Sequence, residues 1–223
     1  MLTLYTYPIT TNALKLSLLL AYIKPHVSLD VALKEVKIHQ REQHSDAFLT
    51  LSPKAKIPVL VNQGTGQVIT ESNAILLYIT QLEQVQNAQA LAGLGQQSEL
   101  MSWLFWQASD TGLGRSGFHF NRILLSAWGI KRPYEPDEKS LAKFHQSCQL
   151  LDQHLEKQTY LCGAQLTIAD MAIAAPMMFY KECQMPINDY PYLLAWLVAL
   201  ESTTWWRSVK EEADAFIKNM PND

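Results

Sequence analysis

The sequence predicts a small α/β domain, of order βαβαββα, followed by an all-α domain. Three observations carry this. In residues 1–82, short apolar runs of two-residue period alternate with runs of helical period and close in a hairpin. Residues 83–98 turn rich in Gln and Ala, with Gly93 and Gly95, as a linker would. From residue 99 to 223 the apolar residues recur at three- and four-residue steps, and we find no convincing strand.

The elements follow in order. Leu2 to Thr6 alternates apolar and polar residues, as a short strand does, and Pro8 breaks it. Thr10, Thr11 and Asn12 open a helix whose face carries Leu14, Leu18 and Ala21, with Lys15 beside them; Pro25 ends it. Val27, Leu29, Val31 and Leu33 alternate as a second strand. Ser45 caps a short helix that stops before Pro53. Val59 to Val61 and Gln67 to Thr70 pair as a hairpin across Gly64 and Gly66, and Ser72 caps a helix from Asn73 to Leu82. Beyond the linker, helices are expected from Leu100 to about Ser109, Asp137 to about Lys157, Tyr192 to Leu200 and Trp205 to Ile217. Thr167 and Asp170 form a capping box before the apolar run Met171 to Phe179.

Composition narrows the functional classes. Of 223 residues, 48% are hydrophobic and 17% charged, a balance that excludes a disordered chain. A net charge of −3 argues against binding nucleic acid through a broad basic surface. Cys148, Cys162 and Cys183 make no disulfide framework, which fits a reducing cytoplasm. The start of the chain does not read as a signal peptide, and no apolar stretch reaches the roughly 20 residues that span a bilayer. The expectation is a cytoplasmic protein with no membrane and no nucleic-acid partner.

Three stretches suggest chemistry, each beside a purely structural reading. A helix start exposes unpaired N–H groups and about half a positive charge, so Thr10, Thr11 and Asn12 can steady an anion such as a thiolate, or simply cap. In Lys56-Ile57-Pro58-Val59, a cis Ile57–Pro58 bond would aim the Ile57 backbone at an extended peptide, while a trans proline would merely open an edge strand. Glu71 and Ser72, at a second helix start, can grip the ammonium and carboxylate of an amino acid, or be a solvated loop residue and an N-cap. His145 and Cys148 stand three apart without a second pair, so no metal site is expected, and no Gly-rich phosphate loop is present. Residues 1–147 hold no cysteine, so redox chemistry by a cysteine near the first helix is excluded.

Together, Pro8 to Lys15, Ser52 to Pro58, Glu71 to Ile75 and Leu166 to Asp170 resemble the cytosolic glutathione transferase superfamily over nearly the whole chain. The spacing of Thr10 and Asn12 is similar to that of serine/threonine-type members, in particular bacterial and fungal disulfide-reducing ones. The resemblance implies a thioredoxin-like first domain, a helical second domain, a cis Pro58 and a homodimer. It implies that Glu71 and Ser72 hold the γ-glutamyl end of glutathione, that Ile57 pairs with its cysteinyl part, and that Gln43 and Lys56 reach its glycine carboxylate. It places Thr10 at the thiol, with Thr11 as the alternative and Asn12 as a second donor; Tyr5 and Tyr7 fall off the position used by tyrosine-type classes.

The helical domain is then expected to wall an acceptor pocket from Trp103, Trp106, Arg115, Phe118 and His119, with Phe120 and Trp128 nearby. Trp103 and Trp106, three apart on one face, serve equally as core or dimer interface. The implied activity is that of a glutathione transferase: the glutathione thiolate attacks a small electrophile, in detoxification, or reduces a disulfide or peroxide. The rival is a non-catalytic scaffold module similar to that of elongation-factor gamma subunits. Those carry a further C-terminal domain, whereas this chain stops at Asp223.

Overall fold

A computed structural model of the chain describes residues 1–91, 93–95, 99–109 and 111–220. Strands β1 (Leu2–Thr6), β2 (Val31–Glu35), β3 (Val59–Asn62) and β4 (Val68–Thr70) form one mixed sheet in the order β2-β1-β3-β4. β1 runs parallel to β2, with Leu2 opposite Val31, and antiparallel to β3, with Leu4 opposite Leu60; β3 and β4 form the hairpin. Helices α1 (Thr11–Ile23), α2 (Asp46–Leu49) and α3 (Ser72–Thr80) complete a thioredoxin-like domain.

Two expectations about this domain need correction. The second strand begins at Val31, not Val27, because His26 and Val27 donate their amides to the Ile23 carbonyl and prolong the turn that ends α1. Ser72 is not the cap of α3 but its first residue. Glu71 takes the cap position with φ 67° and ψ 116°, and the Ser72 hydroxyl is turned toward α1. A non-glycine residue at positive φ costs on the order of 1–3 kcal/mol and persists only where its surroundings demand it.

The stretch read as a linker carries α4 (Glu83–Gln86) and a 3-10 turn at Gln89–Leu91. Residues 92 and 96–98 of that stretch, and the chain's last residues, 221–223, lie outside the described residues. The rest is predominantly helical: α5 (Leu100–Ser109), α6 (Gly112–Arg115), a π-helical turn Phe120–Leu124 running into α7 (Leu125–Ala127), α8 (Glu138–Leu155), α9 (Ile168–Ala174), α10 (Pro191–Glu201) and α11 (Thr204–Lys218). The sequence gives no warning of α6, the π turn and α7, because three glycines interrupt the period there. Gly117, at φ +74°, is required: a Cβ would sit 2.3 Å from the Tyr134 hydroxyl. The apolar run from Met171 is helical only to Ala174 and then tightens into a 3-10 turn around Pro176.

α9 is buried along its whole length. Its capping box holds: Asp170, fully buried, accepts from the Leu161 and Thr167 amides at 2.9 Å each and from the Trp196 indole at 3.3 Å. α1 packs against α9 and α11 of the helical part and against α3 of its own domain. That is why Leu14, Leu16, Leu18 and Leu19 are all buried, on more than one face of the helix. Each such leucine stabilises the fold by about 1.5–3 kcal/mol. The packing also fixes where the start of α1 meets the helical domain. Among the described residues no helix is long and apolar enough to cross a membrane.

Candidate functional site

The starts of α1 and α3 converge. The backbone turns at Tyr7-Pro8-Ile9, where the Thr10 amide and hydroxyl both donate to the Tyr7 carbonyl at 3.0 Å. The Thr10 hydroxyl also accepts from the Ala13 amide at 3.4 Å, so its single proton and one lone pair are already used in capping. At the other start, Ser72 donates to Asn12 Oδ1 at 3.3 Å and accepts from Lys15 Nζ at 3.1 Å. Lys15 goes on to Asn73 Oδ1 at 3.2 Å and to Gln107 Oε1 of α5 at 2.6 Å. Asn73 donates to the Leu104 carbonyl at 2.9 Å, so one polar network joins α1, α3 and α5.

Lys15 is 2% exposed, and its three hydrogen-bond partners are all neutral. Burial lowers it from 10.5 to about 7, with the Glu71 carboxylate pulling the other way. A buried cation with neutral neighbours is a ready counter-ion for an incoming anion.

The network floors a cleft of about 960 Å³ between the two domains. One wall is polar: Thr11, Asn12, Lys15, Lys56, Glu71 and Ser72. The other is largely apolar: Met101, Leu104, Phe105, Ala108 and Phe120, with Arg115 among them. Lys56 reaches its place because the Ser52 hydroxyl closes the preceding loop, donating to the Lys56 carbonyl at 2.9 Å and accepting from its amide at 3.2 Å. The Ile57–Pro58 peptide bond after it is cis. Glu71 is exposed and pairs with Lys54 at 3.1 Å.

Several candidate residues lie elsewhere. Thr10, Gln43, Ile57 and Pro58 do not line the cleft. Gln43 sits in the 3-10 turn Glu42–His44, its Oε1 buried without a hydrogen-bond partner. Of the five acceptor-pocket residues only Arg115 lines it. Trp103 stacks edge-on with Trp106 at 5.6 Å and His154 at 4.7 Å, and Trp106 borders a separate groove with Leu150 of α8. α5 thus turns its tryptophans toward α8 and Phe105 toward the cleft. Phe118 is core, 5.4 Å from Phe144. His119 is buried on the Ile9 carbonyl. Trp128 donates to the Tyr7 hydroxyl at 3.0 Å; Tyr7 is fully buried, and neither it nor Tyr5 reaches the cleft.

Three functional candidates escaped the sequence reading. Lys15 gave a signal, a charged residue on an apolar helix. Gln107 falls at i+7 from Leu100, on the face that α5 buries. Phe105 gave none, since an aromatic at that spacing is ordinary core. Burial raises the Cys148 and Cys183 thiols to about 12 and the Cys162 thiol in the same direction, which disfavours their thiolates.

A thioredoxin-like domain whose first and third helices open onto a cleft walled by a helical domain is the two-domain architecture of glutathione transferases. The family model described as glutathione S-transferase, N-terminal domain matches residues 1–81, and that described as glutathione S-transferase, C-terminal domain matches residues 113–199. The chain belongs to the cytosolic glutathione S-transferase superfamily. It is 28% identical over 203 residues to a glutathione S-transferase domain-containing protein of Dictyostelium discoideum, covering 84% of this chain and 73% of that one. It is 28% identical over 205 residues to the disulfide-bond oxidoreductase YfcG of Escherichia coli, with 88% of each covered. Among solved structures it is similar to the glutathione transferase YghU of Streptococcus pneumoniae complexed with glutathione, at TM-score 0.74 and 23% identity, covering 94% of this chain and 82% of that one.

Proposed function

We propose that the protein binds glutathione in this cleft and uses its thiolate to attack an electrophile or reduce a disulfide or peroxide. The observation that carries the proposal is the polar wall: two helix starts, a buried cation and an exposed carboxylate converge in one cleft. Ser72, by giving up its 3.3 Å bond to Asn12, and the first amides of α3 take the γ-glutamyl carboxylate, with Lys15 as its counter-ion, and Glu71 takes the ammonium by displacing Lys54. Lys56, which lines the cleft, serves the glycine carboxylate; the Ile57 backbone next to it and Gln43, both outside the lining, reach the cysteinyl part and that carboxylate only if the peptide extends past the cleft.

That placement sets the thiol at the start of α1. The Thr10 hydroxyl is occupied there, so Thr11 and Asn12, which line the cleft, supply the donors, and Thr10 organises the turn. A cysteine thiol of pKa about 8.5 is about 3% thiolate at pH 7; at about 6.5 it is roughly three-quarters thiolate, a difference of about 2.7 kcal/mol. One hydroxyl donor plus the positive end of α1 is of that size. The protein supplies no nucleophile of its own. The apolar wall of Met101, Leu104, Phe105 and Phe120 receives the acceptor, and Arg115 offers a charge to an anionic one.

The test is retention on immobilised glutathione, then two turnover assays in parallel: conjugation of an aryl halide, and reduction of a mixed disulfide coupled to NADPH oxidation. Retention with turnover in either assay supports the reading. Retention without turnover leaves a binding module, and no retention removes the proposal.

A further inference from the structure

His119 is 4% exposed, its ring 5.5 Å from that of Phe179, and its Nε2 lies 2.7 Å from the Ile9 carbonyl oxygen. A carbonyl only accepts, so Nε2 carries the proton. Nδ1 is then a bare acceptor, and it is buried without a hydrogen-bond partner. Burial keeps the ring neutral by lowering it to about 4. A group of this kind serves where its one bond matters.

The bond is placed at the working end of α1. Ile9 is fully buried and immediately precedes Thr10, the cap of the helix. Its carbonyl is closed to water, and the partner it has comes from 110 residues away. The donor's own segment forms the other side of the cleft: Arg115 and Phe120 line it, and the π turn that begins at Phe120 re-aims the backbone directly after His119.

We infer that His119 is a positioning residue: its Nε2–H bond to Ile9 holds the start of α1, and so Thr11 and Asn12, at a fixed distance from the wall bearing Arg115 and Phe120. His119 thereby works through the polar wall although no part of it enters the cleft. The inference rests on the proposed glutathione site for its catalytic consequence, but its structural part does not.

The experiment compares wild type with His119→Gln, whose amide N–H reaches a similar point, and His119→Leu, which has no donor. In the free protein, hydrogen exchange at the hydrogen-bonded amides of Thr10, Ala13 and Leu14 should quicken roughly tenfold in His119→Leu and recover in His119→Gln. With glutathione bound, the ultraviolet titration of the thiolate should move to higher pH and kcat should fall in His119→Leu, with the KM for the acceptor unchanged. Should His119→Leu fail to fold, His119→Asn, whose amide falls short of the carbonyl, replaces it. Unchanged exchange and titration beside a lower melting temperature would reduce His119 to core packing. A raised acceptor KM alone would return it to the acceptor pocket. If the wild type retains no glutathione the proposed function fails, and the exchange data still decide the positioning role.

Discussion

Replacing Lys15 by methionine tests the centre of the site, because its ammonium is the only formal charge in the network that joins α1, α3 and α5. Lys15 stands at about 7 in the fold against an ordinary 10.5. The gap corresponds to about 5 kcal/mol of disfavoured charge at low pH. Its effect on stability has a definite sign. Between pH 7 and 10.5 the unfolded chain keeps the proton that the folded one sheds, so stability rises with pH across that window and is flat below it. Ligand binding reverses the situation. A carboxylate seated beside Ser72 at about 4 Å from Nζ gains about 4 kcal/mol at an effective dielectric of about 20, enough to lift Lys15 back to about 10. Binding should therefore take up about half a proton at pH 7 and about 0.9 at pH 8. The thiol of glutathione would release a proton of its own, so the ligand for this assay is S-methylglutathione. Calorimetric titration in two buffers of different ionisation enthalpy reads the uptake directly. The ligand's ammonium contributes alike in both proteins, so the difference belongs to Lys15. Equal uptake in wild type and Lys15→Met would refute the reasoning.

Three further outcomes follow from the same geometry. Glu71→Ala should fold normally, since the carboxylate is exposed and its partner Lys54 is a surface lysine, yet bind glutathione ten- to a hundred-fold more weakly in calorimetry. Thr11→Ala should raise the bound thiol's pKa by about one, read from thiolate absorbance against pH. Thr10→Ala should instead cost about 1 kcal/mol of fold stability through the lost cap; the reverse result would return the thiol contact to Thr10. Light scattering at micromolar concentration should show twice the 25.3 kDa chain mass, with the groove lined by Trp106 and Leu150, away from the cleft, as a surface a second copy would cover; a clean single-chain species would sink the dimer.

The sequence by itself determined the βαβαββα order of the first domain, the helical character of the second, and the helix starts from which the proposed site is built. Local rules sufficed there: the period of apolar residues set β1, α1, α5 and α8, and the Thr167 and Asp170 spacing set the start of α9. Glu71, Ser72, Thr11 and Asn12, which line one cleft, could be singled out as candidates because helix starts announce themselves in a few neighbouring residues; Lys56 came from the family resemblance. Direction was not legible. Thr10 and Thr11 have the same side chain, and only the turn at Tyr7 decides which hydroxyl is spent on the helix. Ser72 reads as a cap until the positive φ of Glu71 makes it the first helical residue. Trp103 and Trp106 share one face of α5 and Phe105 another, but which face meets the cleft depends on where α8 packs, and His119 turns inward because a carbonyl 110 residues away needs a donor. Those choices are made by burial and by the pairing of distant polar groups, which are properties of the assembled core.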